Sequence, residues 1–484
     1  MATPPRDQRD PRDPLGLRVD APLLDAYLRA LEERRIPFTI PGHKGRTDLV
    51  GAVVAGDLPL FGGLDTPKLA AGTLAAAEAL AARHWGADLA RFSVGGSTHG
   101  NQALTLALGA PGDRVVVART LHRSMLLGLI LAGLEPVWVR PELDLASGLP
   151  SAVPPAAVAE ALAGEPTTRA VLLGDPSYVG STSDLAAHAA LAHSHGRGGI
   201  PLIVDAAWGG HFGAGPTVPP HALAQGADAL VTSVHKLLPG YTQAALVLAR
   251  TQRLDPGRLE RGFEATNTTS PAGAILASID AARALLARDG ARLVGRAVEL
   301  VAGARARLRE VEGLAVVDAP GADPLRLVLG LAGTGASGIE LDRDLAARGM
   351  PLEMTDRDTA IPVVTLADDE ASVDALVAAL VEAIERHRGR PRDVVPAAAW
   401  SVTPRATMPP REAFFARRER LPIERAIGRT CAELVAPYPP GIPVLAPGEL
   451  VEAAAVEALR EARAHGVRIA YAADPTLATL EVVA

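Results

Sequence analysis

From residue 115 onward, short apolar runs alternate with amphipathic stretches, and no other feature of the chain constrains its fold so strongly. Residues 115–118, 136–139, 170–173, 202–204, 229–232 and 245–248 read as buried strands. Between them, 124–131, 156–163 and 185–194 carry helical periodicity, and a further alanine-rich helix is predicted over 69–85. Strand–helix alternation of this kind predicts an α/β domain: a mostly parallel sheet with helices on both faces, connected by right-handed crossovers.

After Thr269 the pattern changes. Helices are predicted over 271–288 and 291–311, with strands at 314–317, 325–329, 352–354 and 363–366 and helices at 339–347 and 373–388. This reads as a smaller α+β domain. A Pro- and Arg-rich stretch, 388–410, reads as a linker, followed by a helix at 451–465 and a strand at 467–471. The expected organisation is a disordered tail over 1–16, an N-terminal segment with a large domain over 17–270, a small domain over 271–390, and a linker with a C-terminal domain over 391–484.

In parallel α/β sheets, ligands gather at the carboxyl ends of strands, and three loops stand out there. Ser93-Val94-Gly95-Gly96-Ser97-Thr98-His99-Gly100-Asn101 runs into a helix expected at Gln102. Glycines admit a ligand to the backbone, and hydroxyls with free amides at a helix N-terminus suit a phosphate. The Gly-Lys-Ser/Thr ending of a Walker loop is missing. In Ile203-Val204-Asp205-Ala206-Ala207-Trp208, an acidic residue ends a buried strand. A carboxylate there can pair with a protonated ring nitrogen, or serve as a helix cap or structural ion pair. In Thr232-Ser233-Val234-His235-Lys236, a lysine follows a buried strand, where a lowered pKa would make it an imine-forming nucleophile. Taken singly, each loop also fits ordinary structure. In this order they supply a phosphate anchor, a ring-nitrogen partner and an imine lysine, the set a pyridoxal-phosphate (PLP) enzyme requires. His122, just past another strand, could stack on the ring or cap a helix.

With these segments the sequence resembles the bacterial ornithine/lysine/arginine decarboxylases, which have the aspartate-aminotransferase-like, PLP-dependent transferase fold (fold type I). The resemblance runs from about residue 40 to 449. It rests on Pro41-Gly42-His43-Lys44-Gly45, Gly96-Ser97-Thr98, His122-Arg123-Ser124, Asp205-Ala206-Ala207-Trp208, Ser233-Val234-His235-Lys236-Leu237-Leu238 and Thr268-Thr269-Ser270-Pro271. Most specific is Pro437-Tyr438-Pro439-Pro440-Gly441-Ile442-Pro443 leading to Pro447-Gly448-Glu449, because such proline density suits no generic helix or strand. There is no counterpart of the extra N-terminal domain of the larger inducible members, so the shorter class is expected. Trp208 matches the larger class, while the shorter class often has His there. Residues 64–72 depart from the family's His-His-Pro-Glu-Gly-like stretch.

The resemblance implies that Lys236 holds PLP as a Schiff base. Gly96, Ser97, Thr98, Ser233 and His235 would hold its phosphate. Asp205 would pair with the ring nitrogen, His122 would stack on the ring, and Ala207 would pack on its other face. The implied reaction is decarboxylation of lysine, arginine or ornithine to the amine and CO2, within polyamine biosynthesis, with Lys236, Asp205, His122 and His235 as the catalytic residues. A homodimer or larger homo-oligomer is also implied. Glu353, Asp356, Glu433 and Glu449 are candidates for the substrate's distal cation. The alternatives are another PLP reaction, such as transamination or elimination, and a non-catalytic regulator on the same fold.

Other readings bound this one. A net charge of −7 argues against a nucleic-acid binder. The single cysteine, Cys431, excludes an intramolecular disulfide and argues against a cysteine metal site. His188, His193 and His195 do not share one helical face, so no metal is expected. The N-terminus lacks the apolar stretch of a secretory signal, and the best apolar run, 125–134, is far short of the ~20 residues that span a bilayer. A cytoplasmic location with no membrane partner is expected.

Overall fold

The computed structural model describes residues 11–33, 38–60, 72–144, 147–318, 321–394, 402, 404–438 and 442–484. Its centre is a seven-stranded sheet of β1 (Leu89–Ser93), β2 (Arg114–Ala118), β3 (Glu135–Val139), β4 (Val171–Gly174), β5 (Leu202–Asp205), β6 (Ala229–Ser233) and β7 (Ala245–Ala249). The order is β1-β7-β6-β5-β4-β2-β3. Pairings from β3 through β6 are parallel, whereas β7 runs antiparallel to both β6 and β1.

These strands are continuously apolar because both faces are covered. Val116, Leu173, Val204, Leu230 and Leu246 point to one core, and Val115, Leu172, Ile203, Val231 and Val247 to the other. The period of two along each strand divides the residues between the layers. Helices Gly96–Leu108 and Arg123–Ala132 cover the second face.

A single 36-residue helix, Gly273–Leu308, leads from the large unit into the small one. The two helices predicted over 271–288 and 291–311 are therefore one. Gly290, in the gap between the two predicted ranges, lies inside it, and a Cβ there would make an ordinary van der Waals contact, 3.4 Å from that of Ala214. The small unit is a four-stranded antiparallel sheet of Ala315–Val317, Val328–Gly330, Thr359–Ile361 and Met354–Thr355 in that spatial order. The strand predicted at 363–366 is replaced by Thr359–Ile361. Pro362 has no N–H to continue the ladder, and only an isolated bridge joins Val363 to Arg326.

Asp13, expected to lie in a disordered tail over 1–16, is held in place. Asp13 is buried and accepts the Leu17 and Arg18 backbone N–H groups at 2.7 and 3.1 Å, a local cap that composition does not reveal. The C-terminal unit pairs Arg418–Pro422 with Thr479–Val483 and Ala436–Tyr438 with Arg468–Ala470, packed on helix Ala453–Ala464. Residues 439–441 of the proline-rich motif lie outside the described residues, but its end is anchored to the large unit. Buried Arg119, one residue past β2, donates to the Pro443 and Val444 carbonyls at 3.0 and 3.1 Å, and to both oxygens of Glu449. Breaking such a pair strands a buried charge. Arg119→Ala is expected to cost about 3–5 kcal/mol of stability, measured by urea unfolding of the purified protein; a loss within experimental error would show that the strap does not hold the C-terminal unit.

Among the described residues, no helix is long and apolar enough to cross a membrane.

Candidate active site

The site lies at the carboxyl ends of the parallel strands. Asp205 is the last residue of β5, and Ser233 is the last of the adjacent β6. The loop after β6 carries Lys236. The chain has three lysines, Lys44, Lys68 and Lys236. Lys44 is exposed, and Lys68 lies outside the described residues. Lys236 is half-buried, with Nζ 3.9 Å from the centre of the Trp208 ring. Burial pushes its pKa below the ordinary lysine value, against the opposing pull of Asp205 and Glu353 and with a further push from Arg326. A lowered pKa leaves more of the amine unprotonated and nucleophilic.

Asp205 is buried and held by a relay of side chains. Asn101 donates from one Nδ2 to Asp205 Oδ2 at 2.7 Å and to Ser124 Oγ at 2.9 Å. Ser124 Oγ in turn lies 2.8 Å from His122 Nδ1, which also accepts the Ser124 backbone N–H at 3.3 Å. Nδ1 of His122 is therefore an acceptor and its ring orientation is fixed. The other oxygen of Asp205 accepts the Ala207 N–H at 3.1 Å. This leaves Asp205 a rigid, buried carboxylate beside an exposed His122 ring.

The glycine-rich loop begins its helix earlier than expected, at Gly96 rather than Gln102. Gly96 has φ +69°, a backbone turn that favours glycine and puts Ser97 and Thr98 in the first helical turn. First-turn amides have no intrahelical partners and suit an anion. Ser97 Oγ and Ser233 Oγ are 2.7 Å apart, so the loop and the end of β6 meet at one point. Thr98 is exposed. His235 is half-buried, its Nδ1 2.9 Å from the Ala244 carbonyl.

The chemistry of these residues fits PLP: two hydroxyls and a helix N-terminus would suit its phosphate, a buried carboxylate a protonated ring nitrogen, and an amine of lowered pKa its carbonyl carbon. The fit does not extend to every quoted motif. Thr268, Thr269 and Ser270 are exposed. His43 meets Asp57 at 3.2 Å on an exposed turn. Residues 64–71 of the departing segment lie outside the described residues.

Three of the four carboxylates considered for a substrate cation are committed elsewhere. Glu449 is bound by Arg119, Glu433 accepts the Ala473 and Glu481 backbone N–H groups at 2.6 Å each, and Asp356 accepts those of Asp358 and Thr359. Glu353 differs: it is exposed, and its charge acts on Lys236, Arg326 and Tyr438. The three histidines weighed as metal ligands are separately engaged or apart. His188 Nε2 meets the Val153 carbonyl and His193 Nε2 meets Asp228.

Sequence reasoning missed Asn101 as the partner of Asp205 and Ser124 as the link from Asn101 to His122, although both stand inside the segments named above. It also missed Arg326, a buried residue of the small unit whose guanidinium carbon lies 4.3 Å from the Trp208 ring centre. Nothing near Arg326 in the sequence signals this contact.

Comparison with known proteins gives matches along most of the chain. Residues 21–324 match the Orn/Lys/Arg decarboxylase major domain, and residues 394–466 match the Orn/Lys/Arg decarboxylase C-terminal domain. An arginine decarboxylase of Halalkalibacterium halodurans is 30% identical over 97% of this chain and 99% of its own length. In structure, lysine decarboxylase A of Pseudomonas aeruginosa matches with a TM-score of 0.79 at 22% identity, over 97% of this chain and 81% of that one. The serine palmitoyltransferase of Sphingomonas wittichii matches with a TM-score of 0.57 at 15% identity, over 77% of this chain and 85% of that one.

Proposed function

Because this chain belongs to the Orn/Lys/Arg decarboxylase family, we propose that it converts arginine to the corresponding amine and CO2, using PLP held by Lys236. The decarboxylase activity and the cofactor follow from the family. Arginine is put first because the Halalkalibacterium halodurans relative, similar over nearly its full length, is named an arginine decarboxylase. The observation that carries the residue assignments is the half-buried Lys236, its pKa lowered, one strand away from the buried carboxylate of Asp205.

Bound PLP supplies an electron sink for the pair released when CO2 leaves. Each side chain then has a task of its own. Lys236 would bind the cofactor through its amino group and yield that place to the substrate amine. Gly96, Ser97, Thr98, Ser233 and His235 would hold the phosphate. Asp205 would keep the ring nitrogen protonated, and the Asn101–Ser124 relay would keep Asp205 and His122 in position. His122 and Ala207 would flank the ring on its two faces. Lys236, or His235 beside it, would return a proton to Cα. This proton delivery favours decarboxylation with retention of the amine over transamination.

Glu353 is the carboxylate proposed to meet the substrate's distal cation. Glu353→Gln is expected to raise KM for arginine about 10- to 100-fold with little change in kcat, since a hydrogen bond to a charged group is worth roughly 1.5–3 kcal/mol. Steady-state kinetics with arginine check it, and an unchanged KM would remove Glu353 from the site. The enzyme is further proposed to be a cytoplasmic homodimer or larger homo-oligomer whose product enters polyamine biosynthesis. Incubation with arginine, lysine and ornithine separately, with CO2 and amine quantified, tests the reaction. Amine from arginine in the largest yield is expected; a keto acid without CO2 would mean transamination instead.

A further inference from the structure

The Trp208 ring carries two cations. Lys236 Nζ lies 3.9 Å from its centre, and the guanidinium carbon of Arg326 lies 4.3 Å from it. Lys236 and Trp208 belong to the large unit, whereas Arg326 comes from the small one. An aromatic face attracts either cation, but the two repel one another, so both stay on one ring only where the surroundings hold them. Arg326 is held firmly. Gly180, with φ +87°, passes so close that a Cβ there would fall 2.7 Å from that of Arg326, so only a glycine fits. The Asp323 N–H donates to the Gly180 carbonyl at 2.8 Å, and the Arg326 N–H donates to the Asp323 carbonyl at 3.1 Å. Asp323 Oδ1 also lies 2.9 Å from Nε2 of His211, three residues past Trp208. The small unit thus grips the loop 208–211 at two points.

A guanidinium keeps its charge at any working pH. Among the described residues, Nε and Nη2 of Arg326 have no hydrogen-bond partner, and Asp323 gives Oδ1 to His211 and the Leu325 N–H. The charge of Arg326 is therefore left to act on its neighbours. Lys236 meets the fields of Asp205 from the end of β5, of Glu353 and Arg326 from the small unit, and of His122 from the start of helix Arg123–Ala132. The two carboxylates favour the ammonium, while burial and Arg326 oppose it. We propose that Arg326 is a positioning residue for the reactive amine: it holds the ring on which Lys236 rests and, by its fixed charge, keeps that amine from taking up a proton. The inference rests on Lys236 as the residue that holds PLP, and adds what maintains its reactivity. Because the charge comes from the small unit, docking of the two units is part of what makes Lys236 a nucleophile.

The test reads the amine itself, apart from turnover. Full-length protein freed of PLP, and matched to the holoenzyme by circular dichroism, is labelled with trace acetic anhydride across a pH series. Mass spectrometry gives the acetylation rate of Lys236 relative to exposed Lys44, its internal reference. Arg326→Met and Arg326→Gln both remove the charge and keep a side chain of similar length, so either folded variant suffices. Only the unprotonated amine reacts, and removing a neighbouring cation favours the protonated form. The relative rate at Lys236 is expected to fall at least about threefold near neutral pH. It should converge on that of the parent as the pH rises to about 10, where lysine loses its proton in any case. Equal rates near neutral pH in a folded variant would overturn the proposal. So would a deficit of the same size at every pH, which would mean that Arg326 only shapes the surroundings. Whether Lys236 takes the cofactor is read separately, from the pyridoxyl adduct of the borohydride-reduced parent, so failure of that assignment and failure of this inference give different results.

Discussion

Lys236→Ala is expected to give a folded protein without the visible absorbance of bound cofactor and with turnover reduced by about 10³-fold or more. The substitution removes two proposed functions at once, the covalent hold on PLP and the return of a proton to Cα. Among the described residues no other lysine can take its place. Lys44 is exposed on a separate turn, where it donates to the Thr39 carbonyl. Near-complete loss of both absorbance and turnover, with the circular dichroism of the parent, is the expected result. Activity within tenfold of the parent would end the assignment.

Asp205→Asn is expected to lower kcat by about 10²–10³-fold while the cofactor still binds. Asparagine preserves shape and can accept the Ala207 N–H, but it carries no charge to hold the ring nitrogen protonated. Asn101 would also face an amide in place of a carboxylate, so part of the relay to Ser124 and His122 would slacken. A rigid buried charge acts most strongly where water is excluded, and Asp205 is 8% exposed. Stopped-flow turnover with absorbance followed in parallel checks this. An unchanged kcat would separate Asp205 from the reaction.

The strands of the large sheet from β2 to β7 were legible to within a residue or two, because burial on both faces leaves an uninterrupted apolar run. The edge strand β1 was not. Its Arg91 pairs with Glu78 and Glu260 at 3.3 and 2.8 Å, so its sequence lacks that signature. The long helix Gly273–Leu308 was read as two, because Gly290, a poor helix former, stands in the gap between the predicted ranges and local sequence does not show that the helix runs on. In the small unit, Pro362 displaced a strand by several residues because the missing N–H acts on pairing, which is non-local.

The candidate site divides in the same way. Lys236, Asp205, Ser97 and Ser233 stand at strand or helix ends, where local sequence carries the information. The Asn101–Asp205 bond joins residues 104 positions apart, and Arg119 reaches Glu449 across 330. Glu449, Glu433 and Asp356 looked available as acidic residues near informative motifs. Folding gives each to backbone or arginine donors, and only Glu353 retains influence on the reactive lysine.

The most direct test is reduction of the PLP-loaded enzyme with borohydride, followed by digestion and mass spectrometry. A single pyridoxyl-modified peptide bearing the mass shift on Lys236 is expected. Modification at Lys44 or Lys68, or no stable adduct on any lysine, would contradict it.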